Sequence, residues 1–229
     1  MSKRWLNERR ADFYYQKAKE LHYRSRSAFK LHQINEKFAI FREGNAVVDL
    51  GACPGGWLQI AKERVGPEGK VVGVDLQHID PLPGIETIRG DITKKETVEE
   101  LKELLGGRAD VVISDMSPNI SGSYSMDHAR SVDLCSHALK FARQTLKRGG
   151  SLVMKMFEGD MINDFLVEVR KSFTSVRLHA PKASRSCSSE IYIIAKGFRG
   201  SSESGAPKAA PKANVNDDVP SVNEDKNQN

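Results

Sequence analysis

Residues 46–57, AVVDLGACPGGW, join a short apolar run to a glycine-rich turn, and this stretch decides the predicted fold. The run is rich in β-branched residues, as buried parallel strands are, and it ends at Asp49. The glycines allow the backbone to approach a ligand closely before the next helix begins. The turn has neither the GxGxxG spacing of dinucleotide sites nor the Lys-Ser/Thr of a P-loop. We therefore expect a ligand that carries no pyrophosphate.

Other apolar runs follow, and several of them also end at an aspartate. The predicted strands after the first span residues 71–75, 85–91, 111–115, 151–156, 176–179 and 190–195. The predicted helices between them span residues 93–105, 127–146 and 160–173. Thr93 and Glu96 have the spacing of a capping box at the start of the first of these helices. Gly149 and Gly150 are expected to end the second.

The alternation of strands and helices predicts an α/β, Rossmann-like fold with a mostly parallel seven-stranded sheet and helices on both faces. Ligands of such folds bind beyond the carboxyl ends of the strands, where the aspartates gather. Asp75 at the end of the second strand suits ribose hydroxyls, and Asp91 could accept a hydrogen bond from an adenine amino group. A nucleoside with a small charged group fits these residues, and S-adenosylmethionine is the common example.

Taken together, six motifs resemble the FtsJ family of RNA ribose 2′-O-methyltransferases over residues 23–200. They are DLGACPGGW (49–57), VDL (74–76), GD (90–91), SDMSPNISG (114–122), KMF (155–157) and SSEIYI (188–193). The resemblance implies the S-adenosylmethionine-dependent methyltransferase fold, with S-adenosylhomocysteine as product and no metal. The cofactor contacts that it implies are Gly55, Trp57, Asp75, Asp91 and Asp115. Cys53 departs from the family, where alanine is more usual, and Trp57 could instead be a core residue.

The resemblance also implies a catalytic tetrad of Lys30, Asp115, Lys155 and Glu190. A ribose hydroxyl is hardly ionised at neutral pH, so a base must remove its proton as the oxygen attacks the methyl group. Lys155 is the expected base, because it interrupts an apolar strand where a charge is otherwise out of place. Asp115 would hold Lys155, while Lys30 and Glu190 would position the ribose. As alternatives, Lys155 could be an edge or snorkelling lysine, or the four residues could form a structural ion-pair network.

The first thirty residues carry nine Lys or Arg and three acidic residues, interleaved with Trp and Tyr. Such a segment suits a single-stranded nucleic acid, although a solvated basic arm would look the same. We expect three regions: a basic aromatic arm over residues 1–22, a methyltransferase domain over 23–200 and a disordered tail over 201–229. The tail contains no aromatic residue and few aliphatic ones.

The family resemblance implies 2′-O-methylation of a uridine in large-subunit (23S) ribosomal RNA, with the large ribosomal subunit as the expected partner. A transfer-RNA or messenger-cap 2′-O-methyltransferase can share the tetrad. A non-catalytic RNA-binding assembly factor would not need it, and a small-molecule methyltransferase would not need the basic arm. The chain has three cysteines without metal-ligand spacing and shows no membrane span, so we expect free thiols and a cytoplasmic location.

Overall fold

The computed structural model describes residues 13–185 and 188–200. The helices are α1 (Phe13–Glu20), α2 (Ala28–Phe38), α3 (Gly56–Val65), α4 (Lys95–Leu105), α5 (Tyr124–Thr145) and α6 (Ile162–Ser172). The strands are β1 (Ala46–Leu50), β2 (Lys70–Asp75), β3 (Glu86–Arg89), β4 (Ala109–Ser114), β5 (Leu146–Phe157), β6 (Phe173–His179) and β7 (Glu190–Phe198). Each strand expected from the sequence is present. The tail, residues 201–229, and the first half of the basic arm lie outside the described residues.

The strands form a seven-stranded sheet in the order β3-β2-β1-β4-β5-β7-β6. Neighbours from β3 to β5 run parallel, and β7 runs antiparallel to both β5 and β6. The order reverses direction at β1, so the carboxyl ends of β1 and β4 border the crevice where ligands of such folds bind. The predicted fold class is therefore confirmed.

Two apolar cores cover the two faces of the sheet. One face packs against α4, α5 and α6, with Leu101, Leu139 and Val169 fully or almost fully buried. The other packs against α2 and α3, with Leu31 and Leu58 buried. Burial of both faces explains why the central strands read as continuous apolar runs. None of the described helices has the length and apolarity needed to cross a membrane.

The predicted capping box at Thr93 is wrong. The helix begins later, after Lys94, which is extended, and no described side chain caps it. The side chain of Asp91 instead accepts the N–H of Thr93 at 2.9 Å, and its carbonyl accepts the N–H of Lys94. Asp91 therefore binds the N–H groups of Thr93 and Lys94 in the turn before the helix, and Thr93 does not cap the helix.

The prediction that Gly149 and Gly150 end the long helix is also wrong. The helix ends at Thr145, and β5 begins at once with Leu146. Both glycines lie inside β5, where the register with β4 shifts between Ala109 and Val111. Gly149 has a φ of +84°, so the glycine allows an irregular turn inside the strand.

Candidate active site

The glycine-rich turn after β1 brings the backbone against two neighbouring strands. Gly51 has a φ of +76°, and a Cβ there would lie 2.5 Å from Met116 Cγ, so a larger residue would strain this approach. The N–H of Cys53 donates to Asp75 Oδ2 at 2.9 Å. Helix α3 then begins at Gly56, and its first amides have no carbonyl within the helix to bind. Such a helix start can accept a carboxylate.

A cavity of about 390 Å³ lies at the carboxyl ends of the first four strands. Its wall includes Gly51, Asp75, Asp91 and Asp115, so three of the acids predicted to hold a cofactor surround one space. Cys53 also lines it, and its thiol is free. This size and mixture of polar and apolar groups suits a small organic molecule.

Asp75 and Asp91 are both held as hydrogen-bond acceptors. Asp75 Oδ1 accepts the N–H of Gln77 at 2.8 Å, and Oδ2 accepts that of Cys53. Hydrogen bonds from Thr93 lower the pKa of Asp91 below its ordinary value. Asp91 is therefore ionised at neutral pH and can accept further hydrogen bonds from a ligand.

Gly55 and Trp57 are not among the described residues that line this cavity. The side chain of Trp57 is 3% exposed; its Nε1 donates to the carbonyl of Ser27 at 2.9 Å, and its ring lies 5.7 Å from that of Tyr192. The indole is thus a core group. A contact between either residue and a cofactor stays a prediction. Such a contact would have to be made by the main-chain groups of Gly55 and Trp57.

The segment between α1 and α2 forms hydrogen bonds to the glycine-rich turn after β1. Arg24 donates from Nη1 to the carbonyls of Pro54 and Asp80 and from Nη2 to that of Pro81. These bonds join the segment between α1 and α2 to the turn that carries Gly55. Arg24 therefore contributes to the shape of the cofactor turn, a contact that the sequence did not predict.

The four predicted catalytic residues form two ion pairs. Lys155 Nζ lies 3.1 Å from Asp115 Oδ1 and donates to the Asp115 carbonyl at 2.7 Å. Lys30 Nζ lies 2.5 Å from Glu190 Oε1. All four side chains are largely buried, with exposures between 8% and 17%. Burying charged groups is costly even when they are paired, so two buried ion pairs are better explained by a function than by a gain in stability.

The two pairs also influence each other. Burial alone would raise the pKa of Glu190, but the charge and hydrogen bond of Lys30, with a smaller contribution from Lys155, hold it below its ordinary value. Glu190 is therefore ionised at neutral pH. Register places Lys155 opposite Tyr192 and Phe157 opposite Glu190. Lys30 lies on α2, Lys155 on β5 and Glu190 on β7, and Asp115 directly follows β4.

Tyr192 is a site residue that the sequence did not reveal. It is fully buried, and its hydroxyl donates to Asp115 Oδ1 at 2.8 Å. Burial, followed by the charges of Asp115 and Glu190, raises its pKa well above the ordinary value, so it remains a donor. One signal was available, because Tyr192 stands two positions after Glu190 on one strand and so shares its face.

Asp49 is fully buried inside β1 and does not end the strand as predicted. Among the described residues, neither carboxylate oxygen has a hydrogen-bond partner. Burial, and then the charges of Asp115 and Asp75, raise its pKa well above the ordinary value. Asp49 is therefore protonated in the folded protein under conditions in which the unfolded chain would ionise it.

This difference predicts a pH-dependent stability. Because the pKa of Asp49 is raised on folding, its contribution is most favourable at acidic pH and declines as pH rises above the unfolded pKa. Asp49→Asn should remove that decline. As pH rises, the free energy of unfolding of the Asn variant should increase relative to that of wild type. The increase should be up to about 1.4 kcal/mol for each pH unit in which Asp49 is protonated in the folded wild type but ionised in the unfolded chain. Urea unfolding from pH 4 to pH 8 measures this difference; a constant difference would contradict the protonation of Asp49.

In the described part of the chain, no group of three or more His, Cys, Asp or Glu side chains is arranged to hold a metal ion. Cys135 is buried against β5, where its Sγ lies 2.9 Å from the carbonyl of Lys155. Burial raises the pKa of this thiol to about 12. Cys135 is therefore a neutral packing group behind the site.

Comparison with known proteins identifies the family. The model of the FtsJ-like methyltransferases matches residues 23–198. Ribosomal RNA large subunit methyltransferase E of Methanothrix thermoacetophila is 60% identical over 81% of this chain and 72% of its own. The protein of the same name from Methanocaldococcus jannaschii is 49% identical over 86% of this chain and 83% of its own. A crystal structure described as a Plasmodium falciparum ribosomal RNA methyltransferase superposes with a TM-score of 0.70 at 29% identity, over 78% of this chain and all of that one. The chain belongs to the FtsJ-like methyltransferase family.

Proposed function

We propose that this protein transfers a methyl group from S-adenosylmethionine to the ribose 2′-hydroxyl of a uridine in large-subunit (23S) ribosomal RNA. The observation that carries the proposal is the buried Lys155–Asp115 pair at the edge of the cofactor-sized cavity. The names of the relatives support the ribosomal substrate.

The residues around the cavity fit the cofactor. Asp75 suits the two ribose hydroxyls and Asp91 the adenine amino group. The start of α3 lies three residues after Cys53 of the cavity wall, and its first amides, from Gly56 onward, suit the carboxylate. When bound, S-adenosylmethionine supplies an activated methyl group and leaves as S-adenosylhomocysteine. Asp115, which also lines the cavity, lies between this space and Lys155.

Lys155 is the proposed general base. Lys155 is paired with Asp115 as a cation, so it must first release a proton to solvent before it can act as a base. The neutral amine then keeps two N–H groups, for which Asp115 offers two acceptors, its carbonyl and its Oδ1. Its lone pair then remains available to a hydroxyl proton. Tyr192 fixes the orientation of Asp115 by its own hydrogen bond. Lys155 would thus take the proton from the 2′-hydroxyl as the oxygen attacks the methyl carbon.

Lys30 and Glu190 are proposed to position the ribose. Glu190 is ionised, so it can accept a hydrogen bond from a sugar hydroxyl beside the one that reacts. Lys30 neutralises that charge and thereby allows the carboxylate to remain buried. This assignment gives all four residues of the tetrad a role in one reaction.

RNA would approach over the basic surface that precedes α2. On α1, Lys17 and Lys19 lie over the rings of Phe13 and Tyr15, at 5.7 and 5.0 Å from the ring centroids. Cations beside aromatic rings are suited to a single-stranded RNA backbone and its bases. Large-subunit particles are the proposed partner, and the cytoplasm is the proposed location.

The test compares substrates directly. The protein should methylate large-subunit particles from cells that lack the modification, using labelled S-adenosylmethionine, and nucleoside analysis should find the label on a uridine ribose. Unmodified transfer RNA is the control substrate and should remain unlabelled. Label on a base ring would refute the reaction, and label on transfer RNA alone would refute the substrate. Cofactor binding without any label would favour an RNA-binding assembly factor.

A further inference from the structure

A second cavity lies at the end of β5 and the start of β7. Its volume is about 320 Å³, and its wall includes Ile120, Tyr124, Phe157 and Ser189. Phe157 ends β5 two residues after Lys155, and Ser189 precedes Glu190 directly. The wall of this cavity therefore includes close sequence neighbours of Lys155, the proposed base, and of Glu190, which is proposed to hold the ribose.

The two cavities share one loop. Residues of the segment after β4 as far as Asn119 line the cofactor cavity, whereas Ile120 and Gly122 line the second. The first cavity is bounded by the ends of β1 to β4, and the second by the end of β5 and the residues before β7. Asp115 thus lines the first cavity, and Lys155 and Glu190 stand within two residues of the lining of the second.

The chemistry of the second cavity suits a nucleic-acid base. Ile120 and Tyr124 are exposed large side chains, 65% and 60% accessible, beside the half-buried ring of Phe157. Among the described residues of its wall, none is basic, so the wall offers no counter-ion to a phosphate. RNA bases that leave their stack are commonly held on aromatic side chains.

Hydrogen bonds hold the backbone of part of this wall in place. The carboxylate of Asp127 accepts the N–H and hydroxyl of Ser121, both at 2.8 Å, and the N–H of Gly122 at 3.1 Å. His128 joins the carbonyl of Phe157 to the N–H of Met161. A preorganised wall lowers the ordering cost of binding.

We propose that this cavity receives the base of the nucleotide whose ribose is methylated, stacked against Tyr124. The proposal rests on the proposed function, because it assumes that a ribose lies beside Lys155 and Glu190. A base is joined directly to its ribose, so it must lie close to Lys155 and Glu190, and Phe157 and Ser189 of the second cavity are neighbours of these two residues in the chain. The second cavity meets that condition.

The test is Tyr124→Ala beside Tyr124→Phe. With large-subunit particles as substrate, the alanine variant should raise KM for RNA about tenfold or more, because one base–aromatic stack is lost. The phenylalanine variant should stay near wild type, because it keeps the ring. The affinity for S-adenosylmethionine, measured by calorimetry, should be unchanged in both. An unchanged KM in the alanine variant would overturn the proposal.

A second experiment does not depend on the folding of a variant. Large-subunit particles that carry 4-thiouridine at the methylated position should crosslink to Tyr124 or Phe157 of the wild-type protein on irradiation. A crosslink confined to residues outside this cavity would overturn the base-binding assignment while leaving the reaction intact. If wild type does not methylate the particles at all, the proposed function itself fails, so the two failures are distinguishable.

Discussion

Replacement of Lys155 with alanine should lower kcat for RNA methylation by about 10²–10⁴-fold, the range expected when a general base is lost. The physical reason is that the 2′-hydroxyl would then have to lose its proton to water. The affinity for S-adenosylmethionine should change little, because the cavity that contains Asp75 and Asp91 remains. Single-turnover methylation of large-subunit particles, with calorimetry of cofactor binding, measures both quantities.

Lys155→Arg separates the base from the ion pair. Arginine keeps the positive charge beside Asp115 but does not lose its proton in proteins, so its kcat should fall nearly as far as that of the alanine variant. Lys147 on the same strand is the matched control; it pairs with Asp110 away from the site, and Lys147→Ala should remain active. An active arginine variant would show that the charge of Lys155 matters and that another group removes the proton.

Trp57→Ala should lower the free energy of unfolding by about 3–5 kcal/mol, the usual cost of truncating a large buried aromatic residue. The indole fills the space between α3 and β7, against Tyr192, and its loss would also remove one of the two hydrogen bonds to the carbonyl of Ser27, which keeps the N–H of Lys30. Chemical denaturation monitored by circular dichroism measures the change. Trp57→Phe keeps most of the ring and should lose less.

The same pair of variants tests whether the indole binds the cofactor. A core role predicts that Trp57→Phe, if folded, binds S-adenosylmethionine as wild type does. A clear loss of cofactor affinity in a variant of nearly native stability would contradict the core assignment. It would then return the side chain of Trp57 to the cofactor site.

The sequence predicted the strands well because each one is an apolar run that the turns delimit clearly. Its errors concern local competition for hydrogen bonds and the depth of burial. Asp91 satisfies the amides that a capping box at Thr93 would otherwise need, and residue spacing alone does not show which oxygen wins. Asp49 resembles the other strand-ending aspartates in the sequence, but Leu50 still belongs to the strand, so the acid is enclosed.

The tetrad could be predicted from the family resemblance but not from spacing. Lys30 belongs to a helix before the first strand, and Glu190 opens the last, so their contact depends on the whole sheet. Tyr192 was not predicted at all, and its contact also depends on the sheet, because its partner Asp115 lies on the far side of β5 in the strand order. Pairs so distant in the chain leave no local pattern.

The position of β7 has a consequence for the order in which the protein becomes active during synthesis. Of the strands in residues 13–200 it is the last to emerge, yet it lies between β5 and β6 and carries Glu190. A nascent chain that has already made β1 to β6 has the cofactor turn and Lys155, but it lacks the strand that fills the gap in the sheet. We therefore expect the active site to become complete only when β7 enters the sheet and brings Glu190 to Lys30.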